Sequence, residues 1–201
     1  MTRSVLAALL ALLGSQASAQ EPEVLAPPAG AEFAMRCDGG SESRWVVAKN
    51  EGGILRVQSA ADPEIYREGP VWAYMLGDIY DVQGLGAGRG RNRMFLVRGP
   101  AEGVKALKAG ARYRFTYRWL SPNGEAERTH VITVQAPRRV HSALFGELEV
   151  FEVTDEISSP LHDLRRSVEY APALRMFVRF GIRNNKSGFA QNCALASLKT
   201  P

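Results

Sequence analysis

From Arg112 to Trp119 the chain alternates without a break between aromatic and polar side chains. On an extended backbone Tyr113, Phe115, Tyr117 and Trp119 share one face, and Arg112, Arg114, Thr116 and Arg118 the other. The turn Ser121-Pro122-Asn123-Gly124 then leads to a second β-prone run, His130 to Gln135, which predicts an antiparallel hairpin. Glu147 to Val153 predicts another strand whose alternation slips. Leu148 and Val150 share one parity, Phe151 and Val153 the other, and a β-bulge near Val150 would reconcile them. Met176 to Ile182 predicts a late strand; Arg44 to Ala48, Ile54 to Ser59, Val71 to Leu76 and Met94 to Arg98 predict shorter ones. Gly103 to Lys108 reads either as one helical turn or as an extended lead-in to Gly110. Turn residues punctuate these runs at Asp38-Gly39-Gly40, Asn50 to Gly53, Asp62-Pro63 and Asn184-Asn185. No long amphipathic helix and no internal repeat interrupts the series. The fold class this predicts is all-β, as an antiparallel β-sandwich or a half-open β-barrel.

The N-terminus has a different pattern. Arg3 precedes an uncharged apolar run, Val5 to Leu13, and Ala17-Ser18-Ala19 follows as a small-x-small site. Residues 1–19 therefore read as a secretory signal peptide cut after Ala19, too short to span a bilayer. Residues 20–31 form a proline-rich leader expected to be extended and mobile, and 32–201 a single β-rich domain. No cysteine lies near the cleavage site, and no later run is long and apolar enough to cross a membrane, so the expected product is periplasmic or secreted and has no lipid anchor or transmembrane segment.

Export changes the meaning of the cysteines and of the charge. Cys37 and Cys193 are the 2 cysteines of the chain, and an oxidising compartment favours pairing them. The alternatives, a free thiol or a metal ligand, lack a CxxC or a histidine at ligand spacing. The 25 basic and 21 acidic residues give a mild net charge of +4. Outside the cytoplasm such a surface meets lipid headgroups, anionic cell-envelope polymers or an envelope protein rather than nucleic acid.

No catalytic or cofactor pattern emerges. His130, His141 and His162 form neither HExxH nor HxH and are expected at the surface or at strand ends. His162 stands beside Asp163 and after Ser158-Ser159, but neighbours in sequence do not make a triad. Among the acidic pairs, Glu147 and Glu149 share a strand face; pairing with arginine is the simpler expectation than glycoside cleavage. Gly84 to Arg93 contains GxGxG, but a strand follows where a dinucleotide site needs a helix. Its Arg89, Arg91 and Arg93 are candidates for contacting anionic groups, and the row Tyr113, Phe115, Tyr117 and Trp119 is either core or the wall of an apolar cavity. No metal site and no cofactor is expected.

Three phrases together resemble a family of uncharacterised exported bacterial β-domains. Ala106 to Trp119 is similar to that family's "PLKVGKSWTYEY". Val140 to Val153 resembles its "V-T-V-P-A-G-T-F" strand, with Leu144-Phe145-Gly146 where Gly-Thr-Phe is frequent. Glu169 to Leu174 resembles its "Y-W-Y-A-P-E-L-G" closing strand. The likeness covers residues 104–183 and departs at the Pro-Ala-Gly turn and at the glycine after Ala173-Leu174. It implies a curved antiparallel sheet or half-open barrel and no reaction. The function expected is a non-enzymatic binding module for an apolar or anionic envelope ligand. An interaction or structural module using a sheet edge or the glycine loop is the alternative, and an envelope hydrolase the third.

Overall fold

The computed structural model describes residues 21–71, 81–83, 93–99, 106–121, 124–160 and 163–201. The strands are β1 (Glu32–Cys37), β2 (Glu42–Glu51), β3 (Ile54–Ser59), β4 (Tyr66–Pro70), β5 (Asp81–Gln83), β6 (Arg93–Arg98), β7 (Arg112–Ser121), β8 (Gly124–Val134), β9 (Arg138–Ser142), β10 (Gly146–Ser158), β11 (Asp163–Ala171), β12 (Met176–Asn184) and β13 (Ala190–Lys199). All pair antiparallel, in the order β5-β4-β3-β2-β1-β13-β12-β11-β10-β8-β7-β6, with β9 beside β10 alone. The curved sheet is not closed, since β5 and β6 do not pair. The signal-peptide residues, most of the Val71–Leu76 stretch and His162 lie outside the described residues.

The predicted hairpin is β7 and β8, in unbroken register from Arg112 opposite Thr133 to Ser121 opposite Gly124. The slipped alternation has a different cause from the bulge expected near Val150. The first part of β10, Gly146 to Val150, pairs with β9. From Phe151 onward the strand belongs to the main sheet, between β8 and β11. Changing sheets at a corner turns the buried parity over without an inserted residue. A register shift occurs instead between Glu169 and Tyr170, where β11 meets β12. The Gly103–Lys108 ambiguity resolves toward the extended alternative at its described end: Ala106 bridges to Glu23 and Leu107 is buried.

Residues 21–31 of the leader are hydrogen-bonded to the domain. Pro22 accepts a hydrogen bond from Leu107 N–H at 3.0 Å, and Gly30 N–H donates to the Val47 carbonyl at 2.8 Å. Val24 and Ala26 are buried in the core. Between them the buried Tyr170 grips Leu25 on both sides: its hydroxyl accepts from Leu25 N–H and donates to the Leu25 carbonyl, each at 3.0 Å. Removing the hydroxyl should cost about 1–2 kcal/mol and loosen the leader. Burial pushes the Tyr170 hydroxyl above the usual tyrosine range, against the opposing pull of Leu25 N–H and Arg175. The folded form thus holds its proton more tightly than the unfolded chain. Tyr170 therefore contributes stability that is whole below about pH 10 and is lost as the pH climbs through the raised value. Tyr170→Phe should unfold at lower urea at pH 8, lose less stability than wild type between pH 9 and 11, and be cut faster within the leader by a nonspecific protease. Equal cutting rates would show that the grip does not hold the leader.

After Tyr170 a short 3-10 turn, Pro172–Leu174, ends on Arg175 with φ 52° and ψ 34°. This is the position where the related pattern carries glycine. A side chain in the left-handed region costs roughly 1–2 kcal/mol, partly offset in a glycine variant by added freedom of the unfolded chain. Arg175→Gly should therefore raise stability by about 0.5–1 kcal/mol in urea unfolding; a loss would mean that the arginine side chain makes contacts outweighing the strain.

Candidate functional site

The aromatic row forms part of the core wall. Phe115 and Tyr117 are 1% and 4% exposed, and Tyr113 and Trp119 pack against the same cluster. Successive rings stand 6.5 and 6.3 Å apart between centroids. None of the grooves described below is lined by this row. Of the arginine loop, Arg89 and Arg91 lie outside the described residues, and Arg93 is described through its backbone alone, as the first residue of β6.

Facing the row is a set of buried polar side chains that the sequence did not single out. Along β8, Arg128 and His130 share the parity of Ile132 and Val134; on β10 and β11, Asp155 and Arg166 do the same. All four are buried, His130 and Asp155 completely. His130 thus departs from the expected surface or strand-end position. Its Nδ1 lies 3.0 Å from Asp155 Oδ2, and because a carboxylate only accepts, the ring donates from Nδ1. Asp155 is directly opposite Ile132 on one side and Arg166 on the other. Tyr117 meets the His130 ring edge-on at 5.8 Å, and the Arg128 guanidinium lies 3.9 Å from the Trp119 centroid. The aromatic residues thus wall in a charge cluster that ties β8, β10 and β11 together.

His141, Glu147 and Glu149 stay apart from this cluster. His141 and Glu147 are exposed and pair with each other at 3.0 Å on β9 and β10, while Glu149 stands opposite Arg139. Arg118 reaches Glu127 at 3.4 Å across the hairpin.

The outer face of β10 to β13 carries a channel built by register. Its central row is uncharged: Thr154, Ser167, Gly181 and Asn192 are cross-strand neighbours. Gly181 makes the floor low, since a Cβ there would stand 2.8 Å from Ser167 Oγ and 3.1 Å from Asn192 Oδ1. Asp38 Oδ2 fixes the Asn192 end by accepting from its backbone N–H at 3.1 Å and its Nδ2 at 2.9 Å. Charged rows flank this floor. On one side Glu152 opposes Glu169, and Glu169 opposes Arg179. Arg138 donates to Glu169 Oε1, which lies 3.7 Å from Arg179 Nη1. On the other side Arg165 stands directly opposite Arg183, and neither forms an ion pair with another described residue. Glu156, across from Arg165 on β10, does not reach it. The groove at the Arg36, Arg138 and Arg179 end measures about 520 Å³, and an adjoining basin of about 280 Å³ runs on to Arg165 and Arg183.

Among the described residues no group of three or more histidine, cysteine, aspartate or glutamate side chains is placed to hold a metal ion. No helix among them is long and apolar enough to cross a membrane. The class these features define is a curved, open antiparallel β-sheet with a buried charge cluster inside and a polar channel outside. No protein-family model matches the chain, and no curated protein matches it. Among solved structures, the hypothetical lipoprotein YmcC from Escherichia coli (K12) is 13% identical, with a TM-score of 0.51 over 89% of this chain and 88% of that one. A protein from Bacteroides fragilis, described as exported and with a YmcC-like fold, is also 13% identical, with a TM-score of 0.48 over 89% of this chain and 100% of that one. The chain thus shares its fold with YmcC, whereas the sequence pattern of the resembling family is not matched as such.

Removing one partner of a buried hydrogen bond leaves the other unsatisfied, at a cost of about 1–3 kcal/mol. Asp155→Ala should lower the unfolding free energy by that amount in urea titration, with an unchanged m-value. A loss below 1 kcal/mol would show that the pair is not what holds β8 to β10.

Proposed function

We propose that the protein is a non-enzymatic, exported β-domain that binds an anionic ligand of the cell envelope in the channel on the outer face of β10 to β13. The observation that carries this reading is the Arg165–Arg183 pair. Like charges directly opposite on adjacent strands destabilise a sheet, and Glu156, the carboxylate opposite Arg165 on its other side, forms no ion pair with either arginine. A bound anion relieves that repulsion. Arg179 and Arg183, both on β12, are four residues apart, about 13 Å along the strand. Between them the low, uncharged floor of Ser167, Gly181 and Asn192 leaves space for an extended ligand and supplies hydrogen-bonding groups. Guanidinium groups suit carboxylate and phosphate through paired N–H donors.

Export is supported by the N-terminal signal pattern, by the Cys37–Cys193 disulfide and by a fold shared with a protein called a lipoprotein. The interaction-module alternative that used the glycine loop rests on residues outside those described.

The reading is tested with two probes, vesicles containing phosphatidylglycerol and soluble dextran sulfate. Binding to at least one should weaken as salt screens the charges. The double substitution Arg165→Glu/Arg183→Glu should weaken it at least tenfold. The single substitution Arg183→Glu, which replaces a like-charge pair with an opposite one and faces only Ala190 on its other side, should bind less while unfolding at the same or higher urea. Preference for vesicles would assign the anion to a lipid headgroup, and preference for dextran sulfate to a polymer. Binding to neither, or undiminished binding by the folded double variant, would overturn the proposal.

A further inference from the structure

The two ends of the outer channel differ in charge, and the stretch between them is built to accept hydrogen bonds. At one end Arg165 and Arg183 face each other with no ion pair to another described residue. At the other end the arginines are already engaged, Arg36 with Glu42 and both Arg138 and Arg179 with Glu169. Between the ends the half-buried Glu152 lines both the groove and the adjoining basin, and it forms no ion pair with another described residue. An anionic group is therefore attracted to the Arg165–Arg183 end and repelled from the middle.

The floor has the same preference. Asn192 Nδ2 donates to Asp38 Oδ2 at 2.9 Å. A carboxylate only accepts, so this bond holds the amide one way round and fixes where Oδ1 points. That oxygen and Ser167 Oγ converge above Gly181: a Cβ there would stand 3.1 Å from the first and 2.8 Å from the second. The missing side chain thus leaves a niche between a fixed acceptor and a hydroxyl. Ser167 is half-buried and Asn192 exposed, so the niche is open to solvent. Asn192 Oδ1 and the Glu152 carboxylate can only accept, and Ser167 can do either. This set suits the O–H groups of a ligand and disfavours a second bare anion.

Resting on the reading of the channel as an anion site, we infer that its ligand is an acidic saccharide, with a carboxylate or phosphate against Arg165 and Arg183 and ring hydroxyls over Gly181 and against Glu152. The arginine row and the niche are two residues apart along β12, about 7 Å. One sugar ring with an acidic group on one side and hydroxyls on the other covers that separation. It also brings both kinds of group on a single rigid body, which lowers the ordering cost of binding. A bare polyanion or a fatty carboxylate satisfies the arginines but supplies no donor to the niche.

The test uses the full mature protein and three soluble probes, with binding followed by calorimetry. They are trigalacturonate, the neutral trisaccharide maltotriose, and tricarballylate, which has three carboxylates and no hydroxyl. Trigalacturonate should bind at least tenfold more tightly than either of the others. Gly181→Ala, whose Cβ crowds the niche, should cut the preference over tricarballylate to below threefold. Glu152→Gln should cut it as well, by weakening the sugar and strengthening tricarballylate. Where a variant does not fold, the wild-type ranking of the three probes decides alone. Tighter binding to phosphatidylinositol vesicles than to trigalacturonate would place the sugar on a lipid, and the reverse would place it in a polymer. Equal affinity for trigalacturonate and tricarballylate, both lowered by Arg165→Glu/Arg183→Glu, would overturn the saccharide and leave the anionic reading standing. So would failure of trigalacturonate to bind at millimolar concentration while phosphatidylglycerol vesicles still bind. Failure of every anionic probe would overturn the anionic reading itself.

Discussion

The pairing of β1 with β13 holds the architecture together. In the strand order β5-β4-β3-β2-β1-β13-β12-β11-β10-β8-β7-β6, this ladder is the one junction between the strands before residue 60 or so and those after residue 140 on that side of the sheet. Glu32 opposes Lys199 at one end of it and Cys37 opposes Cys193 at the other. The disulfide fastens the end at which the outer groove lies. It closes a sequence separation of 156 residues, which in a chain-entropy account removes about 4–5 kcal/mol of unfolded-state freedom. Without this seam the five N-terminal strands would be a separate, narrow sheet with one bare face.

From that seam the two faces of the sheet acquire different chemistry through parity alone. On β12, alternate residues are large and apolar or charged and small, so one strand borders the apolar core and the polar channel at once. The inner face then changes character along the sheet. Beneath β8, β10 and β11 it is polar but sealed, with His130, Asp155, Arg128 and Arg166 buried against the aromatic row. Buried charge in that position stabilises little by itself, because desolvation offsets attraction. Its contribution is geometric, since Asp155 meets His130 Nδ1 and stands opposite Arg166 only when β8 and β11 flank β10 in one register.

The fold was legible where alternation is strong. The aromatic row, the hairpin it opens, and strands β2, β3, β6 and β12 were all readable from period-two patterns. Strand β13 was not, because Ala-Gln-Asn-Cys-Ala-Leu-Ala-Ser-Leu-Lys is short of β-branched residues and takes its conformation from two neighbouring strands. β11 was hidden for another reason: Arg166 occupies its buried parity, so the apolar series Leu164, Val168 and Tyr170 looks interrupted. The slip at Val150 was visible but its cause was not, since a bulge and a change of sheet leave the same trace in one sequence. The sites were less legible still. His130 and Asp155 are 25 residues apart, and the channel draws Ser167, Gly181 and Asn192 from three strands that only register aligns. Each of these residues is unremarkable in its own segment.

The same seam sets a timetable for assembly. Because β1 finds its partner in the last strand, its inner neighbour β2 can form a ladder early while its other edge waits for almost the whole chain to be made. Long-range closure of this kind is slow relative to hairpin formation, and an unsatisfied strand edge is open to wrong partners meanwhile. Cys37 likewise meets its partner Cys193 only when β13 docks beside β1, so closing this bond belongs with the long-range step of assembly and not with the early hairpins.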